Sequence, residues 1–244
     1  MPDYQHIFLI SHMRANSSLI SHILGSHPQV NGYYEMHLSY QAQDDLAKQR
    51  QQYALKDTIK PALSGLKNYF FDKLLHNQYQ LSTENFTSNK HKILVAIRPP
   101  EQSIKSIINL FQKKEGDHPY AKTELAMDYY IQRLQAMAQF CQQNKHAYYY
   151  YDANLIRHQP QKLLTQLQNY LELSTPLNED YQCFSLTGKA GAGDSSDNMR
   201  TGRIIKQQTN YHNIKLSDKQ LDAIKRKAEH YRQGIITHAD AYLI

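Results

Sequence analysis

The chain has 244 residues, of which 41% are hydrophobic and 20% charged, and its formal net charge is +6. These values are those of a globular protein; they exclude a disordered chain, a disulfide-stapled miniprotein and a helical membrane protein, since no apolar run approaches the ~18 residues of a span. The length suits one large α/β domain over residues 1–244, and the positive balance favours an anionic partner, read as a small polyanion rather than nucleic acid because the basic residues are scattered along the whole chain.

The first element is the apolar run from His6 to Ser11, which is continuous and lacks helical period, as in a strand buried on both faces. No basic stretch precedes it, so it is not read as a secretory signal; the expected location is the cytoplasm, with Cys141 and Cys183 as reduced thiols. A polar loop leads into a helical pattern from Ser17 to Leu24, with Leu19, Ile20, Ile23 and Leu24 on one face and Gly25 placed to end the helix. Residues 41 to 60 are polar and Gln-rich, and the spacing of Leu63, Leu66, Phe70 and Leu74 extends a helical period to about residue 76. This middle region is therefore expected to be helical and peripheral.

Lys92 to Ile97 is the second buried strand and runs into Arg98-Pro99-Pro100, where Pro100 opens a helix with the stripe Ile104, Ile107, Ile108 and Phe111. Leu125, Tyr130, Ile131, Leu134 and Met137 mark a further helix, His146 to Tyr151 a strand, and Pro160 the start of a helix ending near Leu171. Most of the nineteen tyrosines are read as sheet and core residues. Strands alternating with amphipathic helices predict an α/β fold with a central, mainly parallel sheet and helices on both faces. The stretch from Thr187 to Gly202 holds four of the nine glycines and reads as a functional loop or lid, ahead of a basic surface helix from Ser217 to Arg232.

Two strand-to-helix junctions carry the chemistry. At the first, Ser11 to Leu19, the amides of Ala15, Asn16, Ser17, Ser18 and Leu19 can face an anion, with Arg14 and the hydroxyls adding charge-assisted bonds. It is not a Walker A loop, because no Gly-Lys-Ser/Thr ending is present. Alone, an ordinary turn in which Asn16 caps the helix explains it equally well. At the second, Arg98 ends its strand and Ser106 follows eight residues later, so both can face one phosphate. The bland alternative there is an Arg98 paired with an acidic neighbour and a Ser106 on the helix surface.

Together the two segments resemble the sulfotransferase family. Arg14-Ala15-Asn16-Ser17-Ser18-Leu19 is similar to its 5'-phosphosulfate loop, Arg-Ser-Gly-Ser/Thr-Ser/Thr-Leu, and Arg98, Pro100 and Ser106 are similar to its 3'-phosphate motif. His27-Pro28, Glu35-Met36-His37, Tyr150-Asp152-Leu155-Pro160 and Tyr170-Leu171 follow in familiar order. Asn16 stands where the family has glycine, and Asn tolerates the left-handed region better than most residues; Pro99 stands where a polar residue is usual.

The resemblance implies a P-loop-like sulfotransferase architecture and transfer of a sulfuryl group from 3'-phosphoadenosine 5'-phosphosulfate (PAPS) to a hydroxyl of a small-molecule or glycan acceptor, with no metal and no nucleic-acid partner. It implies Arg14 at the leaving group and Glu35 as general base, with His37 as the rival. It also implies late-loop contacts from Lys189, Ser195 and Arg203, with Gly188, Gly191 and Gly193 permitting close approach. Two other classes stay open: a nucleotide-binding phosphotransferase, disfavoured by the missing Walker A loop and magnesium-binding acids, and a non-catalytic basic adaptor or nucleic-acid binder. The acceptor pocket is expected in residues 33–85 and 113–130.

Overall fold

The computed structural model describes residues 4–86, 90–114, 117–189, 197–206, 211 and 213–244. In chain order the strands are β1 (Tyr4–Ile10), β2 (Val30–Asn31), β3 (Asn68–Leu74), β4 (His91–Ile97), β5 (Tyr149–Asp152) and β6 (Ala241–Leu243). The helices are α1 (Ser17–Ser26), α2 (Gln43–Ala54), α3 (Pro100–Lys114), α4 (Thr123–Gln143), α5 (Leu155–His158), α6 (Pro160–Leu171) and α7 (Asp218–His238). The sheet order is β2-β3-β1-β4-β5-β6, and every strand pairing in it is parallel. No described helix is long and apolar enough to cross a membrane.

The two-residue period of the strands divides the core into layers. Leu94 and Ala96 of β4 and Tyr149 and Tyr151 of β5 pack with Ile20 and Ile23 of α1 and Leu163 and Leu167 of α6. Their neighbours Ile93, Val95, Ile97, Tyr148 and Tyr150 go to the other face, against Ile104 and Ile107 of α3, Leu134 of α4 and Ile235 of α7. Tyrosine suits this core because its ring fills volume while its hydroxyl meets a carbonyl at the layer's edge, as Tyr69 does with Leu171 at 2.7 Å.

The middle region departs from expectation. The helical period through Leu63, Leu66, Phe70 and Leu74 is a coincidence of spacing: Asn68–Leu74 is the wholly buried strand β3, set between β2 and β1. Three consecutive aromatic residues, Tyr69, Phe70 and Phe71, need partners on both sides of the backbone, which a strand between two layers provides and a surface helix does not. Leu63 and Leu66 remain exposed. Only Gln43–Ala54 of the expected 41–60 helix forms, and Lys60 beyond it donates to the carbonyls of Gly25, His27 and Val30, placing an ammonium at the carboxyl end of α1.

Helix α1 also continues past Gly25, which is helical rather than a left-handed stop. A Cβ there would lie 2.7 Å from the Gly32 carbonyl oxygen and 2.9 Å from Tyr33 Cβ, so close approach of the following chain is what excludes a side chain. Gly32 in turn has φ +111° and sits against the Phe71 backbone, which brings residues 33–36 onto β3.

Candidate functional site

The chain leaves β1 toward β2 and β3 on one side, then crosses to β4 on the other, so the sheet order reverses between β1 and β4. In open α/β sheets the crevice at the carboxyl ends of such a strand pair is the usual ligand position. The two sequence-identified junctions meet at that place.

At the first junction, Arg14 (φ 65°) and Asn16 (φ 57°) are both left-handed. The Asn16 carbonyl accepts from the amides of Leu19 at 3.1 Å and Ile20 at 3.2 Å, leaving those of Ser17 and Ser18 at the open end of α1. Leu19 is thus committed to the helix, and its side chain to the core. Asn16 does not cap the helix with its side chain. Its amide instead donates to the Ala153 carbonyl at 2.9 Å and accepts from Arg157 Nε at 3.1 Å, tying the loop to the turn after β5. Here the asparagine that replaces glycine acts as a strut.

The second junction closes on the first. Arg14 Nε donates to Ser106 Oγ at 2.9 Å, and Arg98 Nη1 donates to the Arg14 carbonyl at 3.0 Å. Arg98 is almost fully buried, and its other partners are the side-chain oxygens of Gln102 and Asn154, so no carboxylate bonds it among the described residues. Burial pushes its guanidinium down to about 10, and the charges of Arg157 and Arg14 act in the same direction. Guanidinium groups that repel one another in a buried crevice make a site for a multiply charged anion.

Residues beyond those read from the sequence complete the cluster. His12 is fully buried between the junctions. Lys73, buried at the end of β3, donates to Ser18 Oγ at 2.9 Å. Arg157 also reaches the Ile205 carbonyl, and with Asn16, Tyr181 and Arg203 it lines a small cavity of about 30 Å³ beside α1. Arg203 thus shares that cavity with Asn16 of the loop, whereas Lys189 is exposed and makes no bond to either junction among the described residues. Ser195, Gly191 and Gly193 lie outside the described residues. The signal for Lys73 was present, a lysine inside an aromatic strand-forming run, but reading that run as a helix put it on a surface.

Glu35 is buried beside this crevice, with no hydrogen bond to Oε1. Two imidazoles flank that oxygen: His37 Nδ1 at 3.8 Å and His76 Nε2 at 3.9 Å. Burial lowers the pKa of His76, opposed by the charge of Glu35. The segment carrying Glu35 hangs on Asp72 of β3, which accepts from the Met36 amide at 3.0 Å and the Tyr40 hydroxyl at 2.6 Å. Behind it, the buried Arg133 of α4 donates to the Ser11 and Leu74 carbonyls and to Asn77, pinning the carboxyl ends of β1 and β3 together.

Solved structures share this arrangement of elements. The sulfotransferase domain from the curacin biosynthetic pathway superposes with a TM-score of 0.60 at 17% identity, over 93% of this chain and 98% of that one. Mouse sulfotransferase SULT7A1, complexed with PAP, gives 0.52 at 12% identity over 96% and 89%. Sulfotransferase STF1 from Mycobacterium tuberculosis gives 0.50 at 11% identity over 94% and 77%. No protein-family model and no curated protein matches by sequence. The chain has the sulfotransferase fold.

Proposed function

We propose that the chain is a PAPS-dependent sulfotransferase. The observation that carries this reading is the bonded circuit Ser106–Arg14–Arg98, which joins two anion-binding junctions at the crevice where the sheet order reverses. A ligand with phosphate groups at two ends fits such a paired site. The residues present fit PAPS: Arg98 and Ser106 for the 3'-phosphate, and the amides of Ser17 and Ser18, Arg14 and Lys73 for the 5'-phosphosulfate.

In the reaction the acceptor oxygen attacks sulfur as the bond from sulfur to the 5'-phosphate oxygen breaks, releasing adenosine 3',5'-bisphosphate (PAP). By analogy with phosphoryl transfer the transition state is loose, so positioning and charge stabilisation dominate. Arg14 and the open amides of α1 stabilise the charge growing on the leaving oxygen. Glu35 takes the acceptor proton. Its desolvated carboxylate, lacking a hydrogen bond on Oε1, has an oxygen available for that task.

Calorimetric titration with PAP in EDTA, followed by radiolabelled PAPS turnover, tests the reading. Micromolar PAP binding without metal supports it; magnesium-dependent ATP binding with no PAP binding overturns it in favour of a phosphotransferase. Salt-sensitive RNA or DNA binding without PAP binding overturns it in favour of a nucleic-acid binder.

A further inference from the structure

Beside the Glu35 cluster, a groove of about 590 Å³ runs between α4 and the segment 77–82 that follows β3. Its floor is apolar, with Ile10, Leu74 and Met137, while its walls carry the side chains of Asn77, Gln80, Ser82, Gln139, Gln142 and Gln143. One fifth of the chain is charged, yet neither wall, 77–82 or 134–143, contains an Asp, Glu, Lys or Arg. Gln132, Gln135, Gln139 and Gln142 recur at helical spacing, forming a carboxamide stripe where an exposed helix would ordinarily carry charges. The side chains of Ser82, Gln139, Gln142 and Gln143 make no hydrogen bond to another residue among the described residues. Arg133, the one cation at the inner end, is engaged by Ser11, Leu74 and Asn77.

This groove leads to the candidate base. Tyr79 lines it, and the Tyr79 ring centre lies 5.4 Å from that of His37 and 6.4 Å from that of His76, the two imidazoles that flank Glu35. A carboxamide presents donors and an acceptor in one plane, and so matches adjacent hydroxyls that both give and receive hydrogen bonds. An apolar phenol or steroid would desolvate those carboxamides without pairing them. A charged acceptor would find no opposite charge on either wall.

We propose that the groove is the acceptor subsite and that the acceptor is a neutral, polyhydroxylated molecule, an uncharged oligosaccharide. This rests on the sulfotransferase reading: one sugar hydroxyl oxygen takes the sulfuryl group from PAPS and gives its proton to Glu35, yielding a sugar sulfate monoester and PAP. Tyr79 and Phe140 supply faces for the apolar side of a sugar ring.

The test has two arms on the full chain. Ligand-observed NMR with a panel of neutral gluco-, galacto- and chito-oligosaccharides, without PAPS, reads the groove alone; PAP titration reads the nucleotide site alone. The expected result is oligosaccharide binding that is lost in Gln139→Ala/Gln143→Ala, two exposed positions of α4. In turnover the same double variant should raise the oligosaccharide KM at least tenfold, leaving kcat and PAP affinity within twofold. PAP binding and sulfation of a phenol such as 4-nitrophenol, with no oligosaccharide bound or sulfated, overturns the inference and keeps the sulfotransferase reading. Oligosaccharide binding without PAP binding overturns the sulfotransferase reading and the acceptor role with it, and an unchanged KM in the double variant removes the groove from the site.

Discussion

The backbone amide of Arg98 donates to Nε2 of His12 at 3.0 Å, so the loops that follow β1 and β4 share one buried imidazole. Its Nδ1 bonds the Met13 carbonyl at 2.8 Å, which places the ring proton on Nδ1 and leaves the ring neutral. Burial pushes the His12 pKa down to about 3, which keeps that tautomer in place across the physiological range. The next peptide is held as well, since the Tyr130 hydroxyl donates to the Arg98 carbonyl at 2.8 Å.

His12→Leu should therefore act on both stability and ligand. Leaving the buried Arg98 amide unpaired costs about 1–3 kcal/mol, readable by urea denaturation. Loosening of the Arg98 backbone should also lower PAP affinity at least fivefold by calorimetry. A destabilised variant that binds PAP as tightly as wild type would make His12 a core residue and nothing more.

Arg98→Ala and Ser106→Ala should each weaken PAP binding, by roughly 1.5–3 kcal/mol for the lost charged hydrogen bond of Arg98. Ser106 Oγ also accepts from Arg14 Nε and from the Tyr211 hydroxyl at 3.0 Å, so its removal disturbs the 5' side as well. Adenosine 5'-phosphate, which lacks the 3'-phosphate, should lose less affinity than PAP does in either variant, and what it still loses reports the bonds of Ser106 and Arg98 to Arg14. Equal PAP affinity for wild type and both folded variants defeats the assignment of this junction.

Legibility in the sequence followed how local each signal was. The junctions at Arg14 and Arg98 could be read because a buried strand, a loop and a helix start lie within a dozen residues, and each pattern is set by its own neighbours. The strand β3 could not, since a run buried on both faces has no period of its own, and leucines spaced three and four apart imitated a helix. His76, Lys73 and Asp72 were lost with it. His12, Arg133 and Arg157 owe their roles to partners 56 to 141 residues away, such as Asn77 and Asn16, which no local pattern reports.

Asp72 makes a prediction in pH. Burial pushes its carboxyl up to about 7, and pushes His6 and His12 down to about 4 and 3. Between about pH 4.5 and 6 the native chain holds one proton at Asp72 that the unfolded chain lacks, while the unfolded chain holds two, at His6 and His12, that the native chain lacks. The net excess of one proton in the unfolded state makes stability rise with pH by about 1.4 kcal/mol per unit. His27 and His76, also lowered, steepen the same limb. Asp72→Asn removes the native-state proton, so its slope should be steeper than wild type by about a further 1.4 kcal/mol per unit. Urea denaturation at about pH 4.5, 5.2 and 6 measures both, and parallel slopes would show that Asp72 is ionised throughout.

The sharpest test of the chemistry concerns Glu35. Its Oε1 lies 3.8 Å from His37 Nδ1 and 3.9 Å from His76 Nε2, so three proton-carrying groups crowd one point and only substitution separates them. Glu35→Gln preserves shape and should leave PAP affinity unchanged while lowering turnover on a hydroxyl acceptor by ~100-fold or more. The acidic limb of the kcat/KM profile should vanish in that variant, since no carboxylate remains to be protonated. His37→Ala and His76→Ala should have smaller effects on kcat and retain the limb, since the carboxyl group is still present in both. A larger loss in His76→Ala than in Glu35→Gln would assign the proton to the imidazole, with Glu35 orienting it. Full turnover in all three would mean that the acceptor reacts without a base, as an already ionised oxygen would.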